Sequence, residues 1–166
     1  MKEKSDSETA ELNQSSHIDW LEEFPPFRAM QIKVLELDDA WNRVRILLPL
    51  NDQTRNPGGS MFGGCIASLA DPIAALACAW RFQEYSVWTR NLNLDFISEG
   101  RTDLELRFKF DPAQYQMIAE ELRQRDRSTP LFEYGYYLAD GTLCARVQNR
   151  VAIRRRGYVA GSSGAL

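Results

Sequence analysis

Histidine is almost missing from this chain: His17 is the only one in 166 residues, and it lies near the amino terminus. Without a well-placed imidazole, Ser–His–Asp and Cys–His catalysis have no base, and a histidine-containing hydratase dyad is equally unsupported. A transition-metal site loses its commonest ligand for the same reason. Cysteine is nearly as scarce. Cys65, Cys78 and Cys144 show no metal-ligand spacing, and an odd number of apolar-flanked thiols fits a reducing cytoplasm better than a disulfide scaffold. No Walker-type or dinucleotide-binding glycine pattern occurs, and no internal repeat is present. No apolar stretch follows the lysines of the first six residues, so a signal peptide is not expected. An excess of positive charge is absent too. The formal net charge is −3 and the pI near 5.3, which argues against nucleic acid as a partner.

What is present reads as one ordinary domain. Hydrophobic content of 44% and charged content of 26% belong to a globular chain, and 19.0 kDa is enough for a proper core. Residues 1–16 are polar and rich in Ser and Glu, and are expected to be a disordered tail; residues 157–166 form a second, Gly/Ser-rich tail. Between them, residues 17–156 divide by hydrophobic period. A short amphipathic helix is expected over 18–27, stopped by Pro25 and Pro26. Strands follow over 31–37 and 41–48, then a polar loop over 51–59 and a long apolar helix over 61–80. Period two returns over 87–97 and 101–110. Asp111 and Pro112 then open a second helix as N-cap and first helical residue, reaching about Arg125. A last hairpin joins 131–138 to 143–153 across Asp140–Gly141. The sum is an α+β layout, a curved antiparallel sheet of about six strands wrapped around a long central helix.

Asp71 is the only charged side chain in the twenty residues from Met61 to Trp80. A carboxylate in so apolar a segment is paired, protonated or functional. It also argues against a membrane span, since a central Asp costs roughly 2.5–3.5 kcal/mol on insertion. Phe62, Ile66, Leu69, Ile73, Leu76 and Trp80 step by three and four and form the stripe expected to meet the core. Gly64, Ser68, Asp71, Ala75 and Cys78 form a second stripe, small apart from Asp71 and suited to close approach by a partner or ligand. Three roles stay open for Asp71: a structural carboxylate bonded to a neighbouring strand, a solvated group at a kink made by Pro72, or a catalytic group. Gly58, Gly59, Gly63 and Gly64 surround the helix start, where unpaired N–H groups can hold a carbonyl oxygen gaining negative charge. Gly64 and Asp71 are seven residues apart, about 10 Å at helical rise. One small carbonyl cannot use both from a single helix, so a shared site needs a second copy of the chain. The arginines at 150 and 154–156 are either a solvated strand end or contacts for ligand phosphates; Trp88 is expected in the core, and Arg90 faces either a ligand or water.

Phe62-Gly63-Gly64 followed by Ser68-Leu69-Ala70-Asp71 resembles the helix of the hot-dog-fold thioesterases. It is most similar to the phenylacetyl-CoA thioesterase-like branch, whose helix opens His-Gly-Gly and reaches Leu-Ala-Asp at the same spacing. Phe-Gly-Gly, Ala-Asp-Pro and Val87-Trp88-Thr89-Arg90 look closer still to an uncharacterised, thioesterase-like hot-dog family with an extra helix between later strands. The resemblance implies a hot-dog fold over about residues 27–154 and hydrolysis of an acyl-CoA thioester at a dimer interface. It implies that Asp71 activates water and that Gly64, with Gly63 as the lesser candidate, polarises the thioester carbonyl from the opposite subunit. It also implies that Asn56 lines the acyl site, with Phe62, Ser68 and Arg90 as further substrate contacts. Phe62 stands where the branch has histidine, which makes the mouth of the site more apolar. No cofactor or metal is expected, coenzyme A entering as part of the substrate, although an acyl-carrier protein is a possible carrier. The expected assembly is a homodimer or tetramer in the cytoplasm, with no membrane span and no nucleic acid. The alternative is a non-catalytic acyl- or acyl-CoA-binding protein of the same fold.

Overall fold

A computed structural model describes residues 18–158; the two expected tails lie almost wholly outside that range, as does His17. Seven strands form one antiparallel sheet in the order β1-β2-β4-β6-β7-β3, with the short β5 also paired to β7. In chain order these are β1 (Lys33–Leu37), β2 (Arg43–Leu48), β3 (Tyr85–Phe96), β4 (Leu104–Lys109), β5 (Arg127–Ser128), β6 (Leu131–Tyr137) and β7 (Leu143–Arg155). The helices are α1 (Pro25–Met30), α2 (Gly63–Arg81) and α3 (Pro112–Arg125). The expected six-strand sheet around a long helix is what forms, with two-residue β5 added where Pro130 interrupts the line of β6.

The amino-terminal helix differs from expectation. Residues 18–23 are helical, Phe24 is extended at ψ 124, and Pro25 begins a fresh helix at its first position. A residue before proline avoids helical geometry, while proline itself has no N–H to lose at a helix start. The two prolines therefore restart the helix as well as stopping it.

The sheet curls around α2. Ile66, Leu69, Ile73, Ala74, Ala77 and Cys78 are buried against it, which explains why a helix apolar and long enough to cross a membrane is instead a core helix. Both ends of the expected core stripe escape: Phe62 is 53% and Trp80 38% exposed. Cys78 does the reverse, leaving the small-residue stripe for the interior. Four side chains on the sheet tie down the helix backbone. Tyr136 Oη donates to the Ile66 carbonyl at 2.8 Å, and Tyr134 Oη to the Ala70 carbonyl at 2.6 Å. Thr89 Oγ1 and Asn149 Nδ2 both donate to the Asp71 carbonyl, at 2.7 and 2.9 Å. These bonds gather next to Pro72, whose missing N–H already leaves the Ser68 carbonyl without its usual helical donor.

Candidate functional site

The loop that delivers the chain into α2 is built, not loose. Thr54 is fully buried, donates through Oγ1 to the Pro49 carbonyl and receives the Phe62 N–H on its own carbonyl at 2.7 Å. Asn56 closes the turn: its Nδ2 donates to Ser60 Oγ at 3.0 Å, and its Oδ1 accepts the Ser60 N–H at 3.2 Å. Gly59 supplies the left-handed backbone of that turn, with φ 84. Arg55 bridges Met61, and Met61 N–H reaches the Gly100 carbonyl at 2.8 Å.

Phe62 is the N-cap of α2 and its side chain caps nothing. Its carbonyl takes the N–H groups of Cys65 and Ile66, at 2.9 and 3.3 Å. The amides of Gly63 and Gly64, which lie between Phe62 and Cys65, find no acceptor among the described residues and sit at the positive end of the helix dipole. Two aromatic rings wall them. A Cβ on Gly64 would lie 2.3 Å from Phe62 Cε1, and one on Gly63 would lie 3.2 Å from Phe96 Cζ. Beside them lies a cavity of about 410 Å³ lined by Asn56, Ser60, Gly63, Ile66, Phe96 and Glu99 among others.

Asp71 lies two turns further along. It is exposed, so of the three roles left open by the sequence the structural carboxylate bonded to a neighbouring strand is the one without support. Among the described residues no side chain bonds to its carboxylate; the sheet grips its backbone carbonyl instead. Its charge still reaches Tyr134, whose phenol is held well above its ordinary range by burial first and by Asp71 in a smaller part. Ser68 is exposed on the same helix face, and Gly64, Ala67 and Ala75 are half-buried there. The chain thus offers a fixed carboxylate and two free amides along one face of small residues. Within one chain it does not bring them together.

Arg90 stands apart from this arrangement. Thr89 points to α2 and Trp88 to the opposite, outer face; β3 bulges between Thr89 and Asn91, and Arg90 lines a cavity together with Arg154 on that outer side. Trp88, expected in the core, is 44% exposed there. Thr89, Tyr134, Asn149 and Phe96 were not legible as site residues, because each meets the helix only through pairing of distant strands. No group of three or more His, Cys, Asp or Glu side chains converges as metal ligands among the described residues.

This geometry, a long helix wrapped by a curved antiparallel sheet with glycines at its start, is that of the hot-dog fold. A Pseudomonas aeruginosa protein of unknown function, described as a probable thioesterase, superposes with a TM-score of 0.77 at 16% identity, covering 86% of this chain and 96% of its own. A thioesterase from Haemophilus influenzae gives 0.64 at 14% identity, covering 89% and 90%. The PaaI protein of the E. coli phenylacetic acid degradation operon gives 0.61 at 19% identity, covering 87% and 92%. No curated protein matches the sequence. The chain belongs to the DUF4442 family, a domain of unknown function, whose model matches residues 19–153.

Proposed function

We propose that the protein is an acyl-CoA thioesterase working as a homodimer, or as a tetramer built from such dimers. The observation that carries this reading is the pairing of an unbonded Asp71 carboxylate with unbonded Gly63 and Gly64 amides on one small-residue helix face. Two helices running antiparallel bring Asp71 of one subunit opposite Gly64 of the partner subunit. The sheet supports the same arrangement, since β3 ends the strand order and one edge of this twelve-residue strand has no partner among the described residues.

In this reading Asp71 takes a proton from water as the oxygen attacks the thioester carbonyl carbon. The tetrahedral oxyanion is held by the amide of Gly64 of the partner subunit, with Gly63 beside it. Collapse breaks the C–S bond, and the proton on Asp71 passes to the departing thiolate. Phe62, Ser68 and Asn56 shape the mouth, and the buried free thiols suit the reducing cytoplasm expected for it. Coenzyme A enters as part of the substrate, and no separate cofactor is required.

The exposed Phe62 ring, lying against Gly64 where related helices begin with histidine, favours a second reading: a protein that binds acyl groups without hydrolysing them. Asp71→Asn separates the two. A thioesterase loses about 10²–10⁴-fold in turnover of its best acyl-CoA while staying a folded dimer. If the parent protein hydrolyses no acyl-CoA across a broad panel, the binding reading stands in its place.

A further inference from the structure

The outer face of the sheet carries a concentration of positive charge that the thioesterase reading does not use. Arg154 on β7 is 8% exposed, and no carboxylate lies within ion-pair distance of it among the described residues. Its guanidinium is fixed from several sides. Nη1 donates to the carbonyls of Ser128 and Ile153, and Nη2 to Thr129 Oγ1 at 2.9 Å. Trp88 and Tyr158 hold their ring centroids 5.9 and 5.8 Å from its central carbon. Three neutral acceptors and two rings compensate its burial, but no carboxylate among the described residues balances its charge, which leaves it able to attract an anionic group.

Its neighbours share that surplus. A cavity of about 360 Å³ beside Arg154 is lined also by Arg90, Arg125 and Arg127. Arg90 and Arg127 are exposed and form no ion pair among the described residues. Glu121 is the single carboxylate of the lining, and it is occupied by Arg125 at 2.5 Å and by Ser128 Oγ at 2.6 Å. Four guanidiniums less one carboxylate leave three positive charges here, in a chain whose net charge is −3.

We infer that the cavity bounded by Arg90, Arg127, Arg154 and Thr129 is a second ligand site, which takes a phosphate monoester or diphosphate group. A monocarboxylate would leave most of the charge unmatched. Phosphate oxygens match the planar fork of arginine, and a dianion or diphosphate matches the charge. Along β7, Asn149 points to the Asp71 carbonyl and Arg154, five residues on, points to the opposite face, which places the site on the side of the sheet away from Asp71. It is therefore independent of whether thioesters are hydrolysed.

Calorimetric titration of the full chain tests this with pyrophosphate, adenosine 3′,5′-bisphosphate and coenzyme A, and with adenosine as the phosphate-free control. The phosphate compounds should bind at sub-millimolar concentration, more weakly as salt rises, and adenosine should not bind. Arg127→Glu and Arg90→Glu, both at exposed positions where folding is preserved, should each weaken binding at least about tenfold, the loss of one charge-assisted bond. Arg146→Glu, an exposed change elsewhere on β7, should leave affinity unaltered. Coenzyme A binding more tightly than the bisphosphate, by an increment that Arg127→Glu removes, identifies the ligand of this site as the substrate carrier; equal Arg127-dependent affinities identify the phosphate group alone as the ligand. The inference is overturned if no phosphate compound binds, or if Arg127→Glu and Arg90→Glu weaken binding no more than Arg146→Glu does.

Discussion

Glu105 on β4 sits between Arg107 of its own strand and Arg45 of β2, and shows how one carboxylate between two guanidiniums sets acid stability. Its carboxylate accepts from Arg107 Nε at 2.9 Å and from Arg45 Nε at 2.6 Å. The bonds from Arg107 and then Arg45 hold its pKa down at about 2, against an ordinary value of 4.5. A carboxyl whose folded pKa is depressed stabilises the fold fully above its unfolded value, and the contribution fades as pH falls from 4.5 toward 2. The arginine side chains are 43% and 42% exposed, so solvent screening reduces the contribution to about 1–2 kcal/mol. Urea unfolding between pH 6 and pH 2 should show this loss, and Glu105→Gln should flatten it; an unchanged slope in the variant would sink the assignment. The thiols behave oppositely, because burial raises all three. Cys78 is pushed up to about 12, and Cys65 and Cys144 are raised in the same direction. Native protein at pH 8 should be nearly inert to a disulfide reagent, whereas denatured protein should yield three reactive thiols.

At the scale of elements, α2 owes its position to the hydroxyls and amide beneath it as much as to its apolar stripe. Tyr134→Phe removes the donor to the Ala70 carbonyl and the acceptor of an Asn149 N–H at 3.0 Å. Both groups are buried, so thermal unfolding should register a loss of about 1–3 kcal/mol; an unchanged midpoint would mean the clamp is dispensable. What the sequence made legible here was local. Asp111 caps α3 by accepting the Ala113 N–H at 2.9 Å, and Gly141 turns the last hairpin with φ 86, as their residue types announce. Helical period also gave α2 to within two residues at its start. The clamp was not legible, because Thr89, Tyr134 and Asn149 come from three strands and converge only once the sheet has curled. The same distance effect left the three roles of Asp71 open. An apolar neighbourhood in sequence reports a buried helix on average, not which narrow strip of it faces out.

At the scale of the whole molecule, the helix face sets the expected assembly. Pairing Gly64 with Asp71 of the partner subunit puts the two-fold axis midway between them, at Ala67 and Ser68. Ser68→Arg places a long cation at that crossing. Sedimentation should then report the 19.0 kDa monomer with an unaltered circular dichroism spectrum, and persistence of the dimer would exclude the antiparallel helix contact. The sheet order has another consequence, for how the protein is made. β3 is complete by residue 96, yet among the described residues its only strand neighbour is β7, the last of them in chain order. For that interval a twelve-residue strand waits for its partner, and it closes only through long-range pairs, from Phe96 with Ala145 to Tyr85 with Arg155. Translation speed across residues 97–142, and chaperone capture during it, should therefore govern how much of this protein reaches its native state.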